Sequence, residues 1–155
     1  MSNEPKTASA ERIVRADAAT VFELIADPSN QPRWDGNDNL QAAEAGQRVH
    51  AEGEVFTMLL TGEGGLRECH VVEFEEGKRI AWKPAALGEA PFGQLWRWEL
   101  EPADAPGETL VRHSYDWSGL PADAAPGRLQ RAANTDSAKL MASVDRLAEL
   151  AESLG

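Results

Sequence analysis

Polar and apolar positions alternate with a period of two through the middle of this chain, and apolar positions recur at helical spacing near both ends. Residues 92–101 give the clearest strand signal. Gln94, Trp96, Trp98 and Leu100 share one face, while Leu95, Arg97 and Glu99 share the other. Residues 109–117 repeat the pattern, with Val111, His113, Tyr115 and Trp117 set against Arg112, Ser114 and Asp116. Residues 66–75 alternate as well: Leu66, Glu68, His70, Val72 and Phe74 lie on one side, and Arg67, Cys69, Val71, Glu73 and Glu75 on the other. Residues 79–83 carry Ile80 and Trp82 on one face. Residues 48–60, with Val49, Val55, Phe56, Met58, Leu59 and Leu60, predict a strand bent at Gly53. Shorter strands are expected at 10–16 and within 37–45. Turns are expected at Gly46, at 61–65, at 75–78 around Gly77 and at 102–107, with a loop or short lid at 84–91.

Residues 17–36 predict two short helices. Asp17 is a suitable N-cap, and Val21, Phe22, Leu24 and Ile25 then follow at helical spacing. Pro28 cannot continue that helix, and Pro32 suits the start of a second, against which Trp34 packs as a structural anchor. After a Pro- and Gly-containing connector at 118–127, a long closing helix is expected from near Pro126 or Arg128 almost to Gly155. Its stripe is Leu140, Val144, Leu147, Ala151 and Leu154, with Met141 and Ala148 alongside. Burying each large member of that stripe contributes about 1.5–3 kcal/mol before entropy costs. Strands grouped together with helices at both ends make an α+β domain, and the hairpin turns make its sheet antiparallel. Residues 1–9 read as a flexible tail and 10–155 as one domain.

Charge changes the picture next. With 15 Lys and Arg against 26 Asp and Glu, the formal net charge is −11. That balance argues against nucleic acid, whose phosphates need clustered cations, and against docking on anionic membranes. The first residues lack the basic and apolar regions of a secretory signal, and no apolar run approaches the roughly 20 residues that span a bilayer. A cytoplasmic monomer or homodimer without membrane insertion is the expectation. Cys69 is the single cysteine, so neither an intrachain disulfide nor a multi-cysteine zinc site is possible. His50, His70 and His113 include no pair at metal-ligand spacing, so neither metal nor cofactor is predicted. GEGG at 62–65 lacks the Lys and Ser/Thr of a phosphate-binding loop and reads as a turn.

In order and in particular residues, the chain resembles the START-domain and birch-pollen-allergen (SRPBCC) superfamily, specifically its polyketide cyclase/dehydrase and lipid-transport branch. The residues that carry this are ERIVRADAATVFELIADPSNQPRWDG near the start, VVEFEEGKRIAWKP in the middle, the strands QLWRWELEP and TLVRHSYDWSGL, and the final helix. The resemblance covers Glu11 to Leu154. It implies a helix-grip fold, in which a curved antiparallel sheet wraps the C-terminal helix around a deep apolar cavity. It also implies a ligand that is a lipid, polyketide or other apolar compound, and it supplies no universal catalytic motif.

Candidate residues follow from alternation. The face opposite Trp96 and Trp98 carries Arg97 and Glu99, which belong in water, so the tryptophans point inward. His113 and Tyr115 point inward by the same argument. The candidate ligand-binding set is Trp82, Trp96, Trp98, His113, Tyr115, Trp117, His70, Phe74, Phe56 and Met141. If the Glu68 face also points inward, Glu68, His70 and His113 become weak candidates for acid/base work on a polyketide-like substrate; otherwise they are polar groups that bond one another or a ligand. Cys69, without a base nearby, is a poor nucleophile candidate. Three functions compete: a binder or carrier of an apolar small molecule, which is favoured, a cyclase or dehydratase, and a scaffold with a closed cavity and a protein partner.

Overall fold

The computed structural model describes residues 6–62 and 64–154. Seven strands form one antiparallel sheet: β1 (Thr7–Val14), β2 (Leu40–Ala42), β3 (Val55–Leu60), β4 (Leu66–Glu75), β5 (Arg79–Ala86), β6 (Leu95–Pro102) and β7 (Thr109–Asp116). Their spatial order is β1-β7-β6-β5-β4-β3-β2. Strands β2 to β7 lie beside their chain neighbours, and β1 closes on β7. The helices are α1 (Ala18–Ala26), α2 (Gln31–Trp34), α3 (Pro126–Asn134) and α4 (Ser137–Leu154), with a 3-10 turn at Pro28–Asn30 between the first two. The curved sheet grips α4, giving the α+β helix-grip fold that the resemblance implied. Among the described residues no helix is long and apolar enough to cross a membrane.

Local chemistry places these elements. The Asp17 carboxylate accepts the Thr20 N–H at 2.9 Å and starts α1, whose Val21, Phe22, Leu24 and Ile25 are buried. The Asp27 carboxylate then accepts from Ser29, and Pro28 ends the helix. Trp34 turns back to donate its indole N–H to the Leu24 carbonyl at 2.9 Å, and Gln31 donates to Ile25. The elbow is thus fixed by buried side chains from α2. In α4, Leu140, Val144, Leu147, Ala148 and Ala151 are fully buried against β1, β7, α1 and α2.

Gly36 brings the chain after the elbow directly against the closing helix. Its N–H donates to Ser143 Oγ at 2.8 Å. A Cβ there would sit 2.6 Å from the Lys139 carbonyl oxygen and 2.7 Å from the Ser143 nitrogen, so no other residue fits. Arg146 secures the same junction by donating to the Asp35 carbonyl and the Asp38 carboxylate.

Several expected boundaries move. Residues 7–9 open β1 rather than belonging to a tail, and the rest of that expected tail, apart from Lys6, lies outside the described residues. Residues 48–54 are not strand. Arg48 is held by Glu23 and Glu76, and Gly53, at φ 93°, turns the chain into β3. The expected closing helix is two helices. Asn134, Thr135 and Asp136 offer side-chain oxygens that compete with helical hydrogen bonds. Thr135 Oγ1 donates to the Arg131 carbonyl, and the Asp136 carboxylate accepts the Lys139 N–H at 3.1 Å.

Candidate functional site

One end of the sheet's concave face is filled and the other is open. At the filled end Phe22 packs edge-on against Phe74, with ring centroids 5.7 Å apart, and Trp34 against Trp98 at 5.1 Å. At the open end a cavity of about 340 Å³ lies between the sheet, α2 and its following loop, α3 and the first turns of α4. Cys69, Trp82, Pro84, Trp96, His113 and Tyr115 form its sheet wall, and Met58, Leu60 and Leu40 extend that wall toward the sheet edge. α3 lies across the opening with Ala132 buried. The expected space between sheet and closing helix is therefore roofed mainly by α3.

Strand pairing assembles the aromatic wall. Trp82 is paired with Trp96 across β5 and β6, and Trp96 with Tyr115 across β6 and β7. The Trp96 and Tyr115 rings are 4.2 Å apart. The His113 imidazole stacks on Trp98 at 3.8 Å and on Trp96 at 5.5 Å. Its Nδ1 lies 3.0 Å from the Arg97 carbonyl, which can only accept, so Nδ1 carries the proton. Burial pulls the His113 pKa down to about 3, so the ring is neutral. Burial also pushes the Tyr115 hydroxyl up to about 12 and the Cys69 thiol up to about 12. All three groups are uncharged at neutral pH, which leaves them as hydrogen-bonding or apolar surface. Gln94 lies beside the Tyr115 hydroxyl, yet its own Oε1 is buried without a donor.

The carboxylate of Asp35 also faces the cavity. It accepts the backbone N–H groups of Asn37, Asn39 and Leu40 at 3.1, 3.0 and 3.3 Å. Burial raises its pKa against those bonds. Its role in the structure is to shape the loop after α2.

Of the expected binding residues, Trp82, Trp96, His113 and Tyr115 line this cavity. Trp98, Phe74 and Phe56 point to the same side but are consumed by packing on Trp34, Phe22 and Trp82. Met141 packs at the edge of the core, and Trp117 lies elsewhere, beneath Lys6 and near Leu129. Glu68 and His70 are on the opposite face from Cys69. Glu68 accepts the Gly88 N–H at 2.6 Å, and His70 is paired with Lys83 on β5. The patch joining Glu68, His70 and His113 is therefore not formed. The reason is a bulge between Val71 and Glu73. It lets Arg67, Cys69 and Val71 face inward on one side of it and Phe74 on the other.

Sequence reasoning missed the basic rim. Arg67, Arg128, Arg131 and Lys139 line the cavity mouth together with Phe92. The Arg128 guanidinium lies 3.9 Å from the Phe92 ring centroid and that of Arg67 5.5 Å from it. A usable signal existed: Arg128 and Arg131 are spaced three apart on a helix and so share a face. Among the described residues, no three His, Cys, Asp or Glu side chains converge as a metal site.

A curved antiparallel sheet gripping a C-terminal helix around an internal cavity defines a START-like, SRPBCC-type protein. The chain belongs to the polyketide cyclase/dehydrase and lipid transport family, whose model matches residues 5–152. No curated protein sequence matches it. Among solved structures it is similar to protein MLL2253 from Mesorhizobium loti, at 18% identity and a TM-score of 0.66, over 96% of this chain and 98% of that one. A START superfamily protein from Mycobacterium smegmatis shares 16% identity, with a TM-score of 0.64 over 96% and 99% of the two chains. DynU16, of the dynemicin biosynthetic locus, shares 20% identity at a TM-score of 0.65, over 96% of this chain and 48% of that one. At these identities the likeness is one of fold.

Proposed function

We propose that this chain binds a ring-containing or acyl small molecule in the cavity under α3, with its apolar body on Trp82 and Trp96 and a polar group near Tyr115 and His113. The observation that carries this is an unfilled cavity of about 340 Å³ with an aromatic wall. That volume suits a compact ligand, since binding pockets run from roughly 300 to 1,000 Å³. Membership of a family that includes lipid-transport proteins supports the same reading. Side-chain packing closes one half of the concave face and leaves this half open, which favours a ligand over a closed scaffold.

A binder is also favoured over a cyclase or dehydratase. Burial holds the pKa of the cavity imidazole down at about 3, far below the range where a base works best at neutral pH, and its Nδ1 faces the Arg97 carbonyl instead of a carboxylate. The test is titration with a panel of flavonoids, fatty acids and sterols, followed by tryptophan fluorescence and calorimetric heat. Saturable binding with a one-to-one heat is expected for at least one compact member. If none saturates, the binding reading falls and a protein-interaction role replaces it.

A further inference from the structure

The rim of the cavity is positive on a strongly negative protein. Elsewhere on the surface most arginines are neutralised: Arg12 by Asp145, Arg48 by Glu23 and Glu76, Arg79 and Arg97 by Glu73, Arg112 by Glu11 and Arg146 by Asp38, while Arg15 and Arg33 stand singly in solvent, away from the cavity. At the cavity mouth Arg67, Arg128, Arg131 and Lys139 have no carboxylate within salt-bridge reach among the described residues. The one carboxylate in the lining, Asp35, is occupied by three backbone N–H groups.

These cations are also crowded. Arg67 and Arg128 both lie against Phe92, so two like charges share one ring. The Arg67 pKa is lowered by burial first and then by the positive charges of Arg128 and Arg131. Arg131 in turn is near enough to Tyr115 to stabilise its phenolate form. The Arg67 guanidinium is held in place by neighbouring backbone, its Nη1 donating to the Gly64 carbonyl at 2.7 Å and to that of Leu66 at 3.2 Å. Like charges gathered beside an apolar cavity raise the energy of the empty protein. An anion between them relieves that repulsion and gains charge-assisted, bidentate hydrogen bonds.

We propose that the ligand is an organic anion, an aromatic or acyl carboxylate whose apolar body enters the cavity and whose carboxylate is held at the mouth by Arg67, Arg128 and Arg131. This rests on the cavity-binding reading and adds the charge of the ligand to it. Lys139 contributes to the field at the start of α4. Arg128 and Arg131 are both on α3, so the helix that covers the cavity also carries the charge that a bound anion engages.

The experiment uses matched probes on the whole chain: 2-naphthoate against 2-naphthalenemethanol, and decanoate against decanol, by calorimetry at low and high salt. The carboxylate of each pair is expected to bind at least about tenfold more tightly at low salt. That preference is expected to shrink as salt is raised. In an Arg128→Gln, Arg131→Gln double variant the carboxylate-to-alcohol ratio should fall toward one. Arg112→Gln, the same change on the outer face of the sheet, should leave the ratio at its wild-type value. Equal binding of carboxylate and alcohol by the wild type overturns the anion proposal and leaves the cavity reading standing. A ratio unchanged in the double variant overturns the assignment of the rim. Binding of neither probe in either pair overturns both.

Discussion

His113 makes the stability of this fold depend on pH in a window that the salt-bridged carboxylates leave nearly untouched. The ring is 2% exposed, and burial brings its pKa to about 3 from an ordinary 6.5. Between those values the unfolded chain binds a proton that the folded chain refuses, so stability rises with pH and is fully present only above about 6.5. Each unit of pH is worth about 1.4 kcal/mol at full slope, so moving from pH 6.5 to 4.5 should remove about 2–3 kcal/mol. Carboxylates with lowered pKa, such as Glu73, Glu76 and Asp38, lose their contribution mostly below this window. Asp35 acts with the opposite sign, because its raised pKa stabilises the protonated, acid form. The comparison that isolates His113 is therefore with His113→Phe, which keeps a ring between Trp96 and Trp98 and cannot titrate. Urea unfolding at several pH values should give the wild type a slope between pH 6.5 and 4.5 that the variant lacks. The variant's lost hydrogen bond to the Arg97 carbonyl costs about 1 kcal/mol at every pH and does not imitate a slope. Equal slopes in the two proteins would refute the reasoning.

Two further outcomes concern the framework of the cavity. Gly36→Ala forces a Cβ to within 2.6–2.8 Å of Lys139, Ser143 and Ala142, and should cost about 1–3 kcal/mol, seen as a lower melting temperature. An unchanged melt would show that the elbow is not wedged against α4. Leu147→Asp places a carboxylate at a fully buried position and should cost more than about 3 kcal/mol in urea unfolding; a cooperative melt near that of the wild type would remove the packing assigned to α4.

Strand alternation was legible where charged residues mark the outer face. Arg97 and Glu99 fix the inward side of β6, and Arg112 and Asp116 that of β7, so Trp96, His113 and Tyr115 could be placed from sequence. In β4 both faces carry apolar and charged residues, so hydrophobicity did not choose between them. The bulge between Val71 and Glu73 is a backbone event with no side-chain signature, and it kept Glu68 and His70 out of the cavity. The division of the last helix was marked by Asn134, Thr135 and Asp136, but the unbroken apolar stripe of Leu140 to Leu154 masked it. Which tryptophans would be free was also hidden, because it depends on long-range partners. Trp98 loses its exposure to Trp34, some sixty residues earlier in the chain.

The fold then divides its concave face between two tasks. The elbow of α1 and α2 supplies Phe22 and Trp34, which fill one end and anchor Trp98 and Phe74. The same elbow leads into Asp35 and Gly36, whose hydrogen bonds and close contact hold the first turns of α4 at the cavity edge. Filling one end thus positions the walls of the other. α3 is joined to α4 by the Thr135–Asp136 break, so it can lie across the opening instead of continuing the α4 axis. An uninterrupted helix would carry Arg128 and Arg131 along a single straight axis with Leu140 and Leu147. The break is what brings Arg128 over Phe92 and sets two cations beside an aromatic wall. Cover and charge therefore have one structural origin, in the two polar residues between the helices.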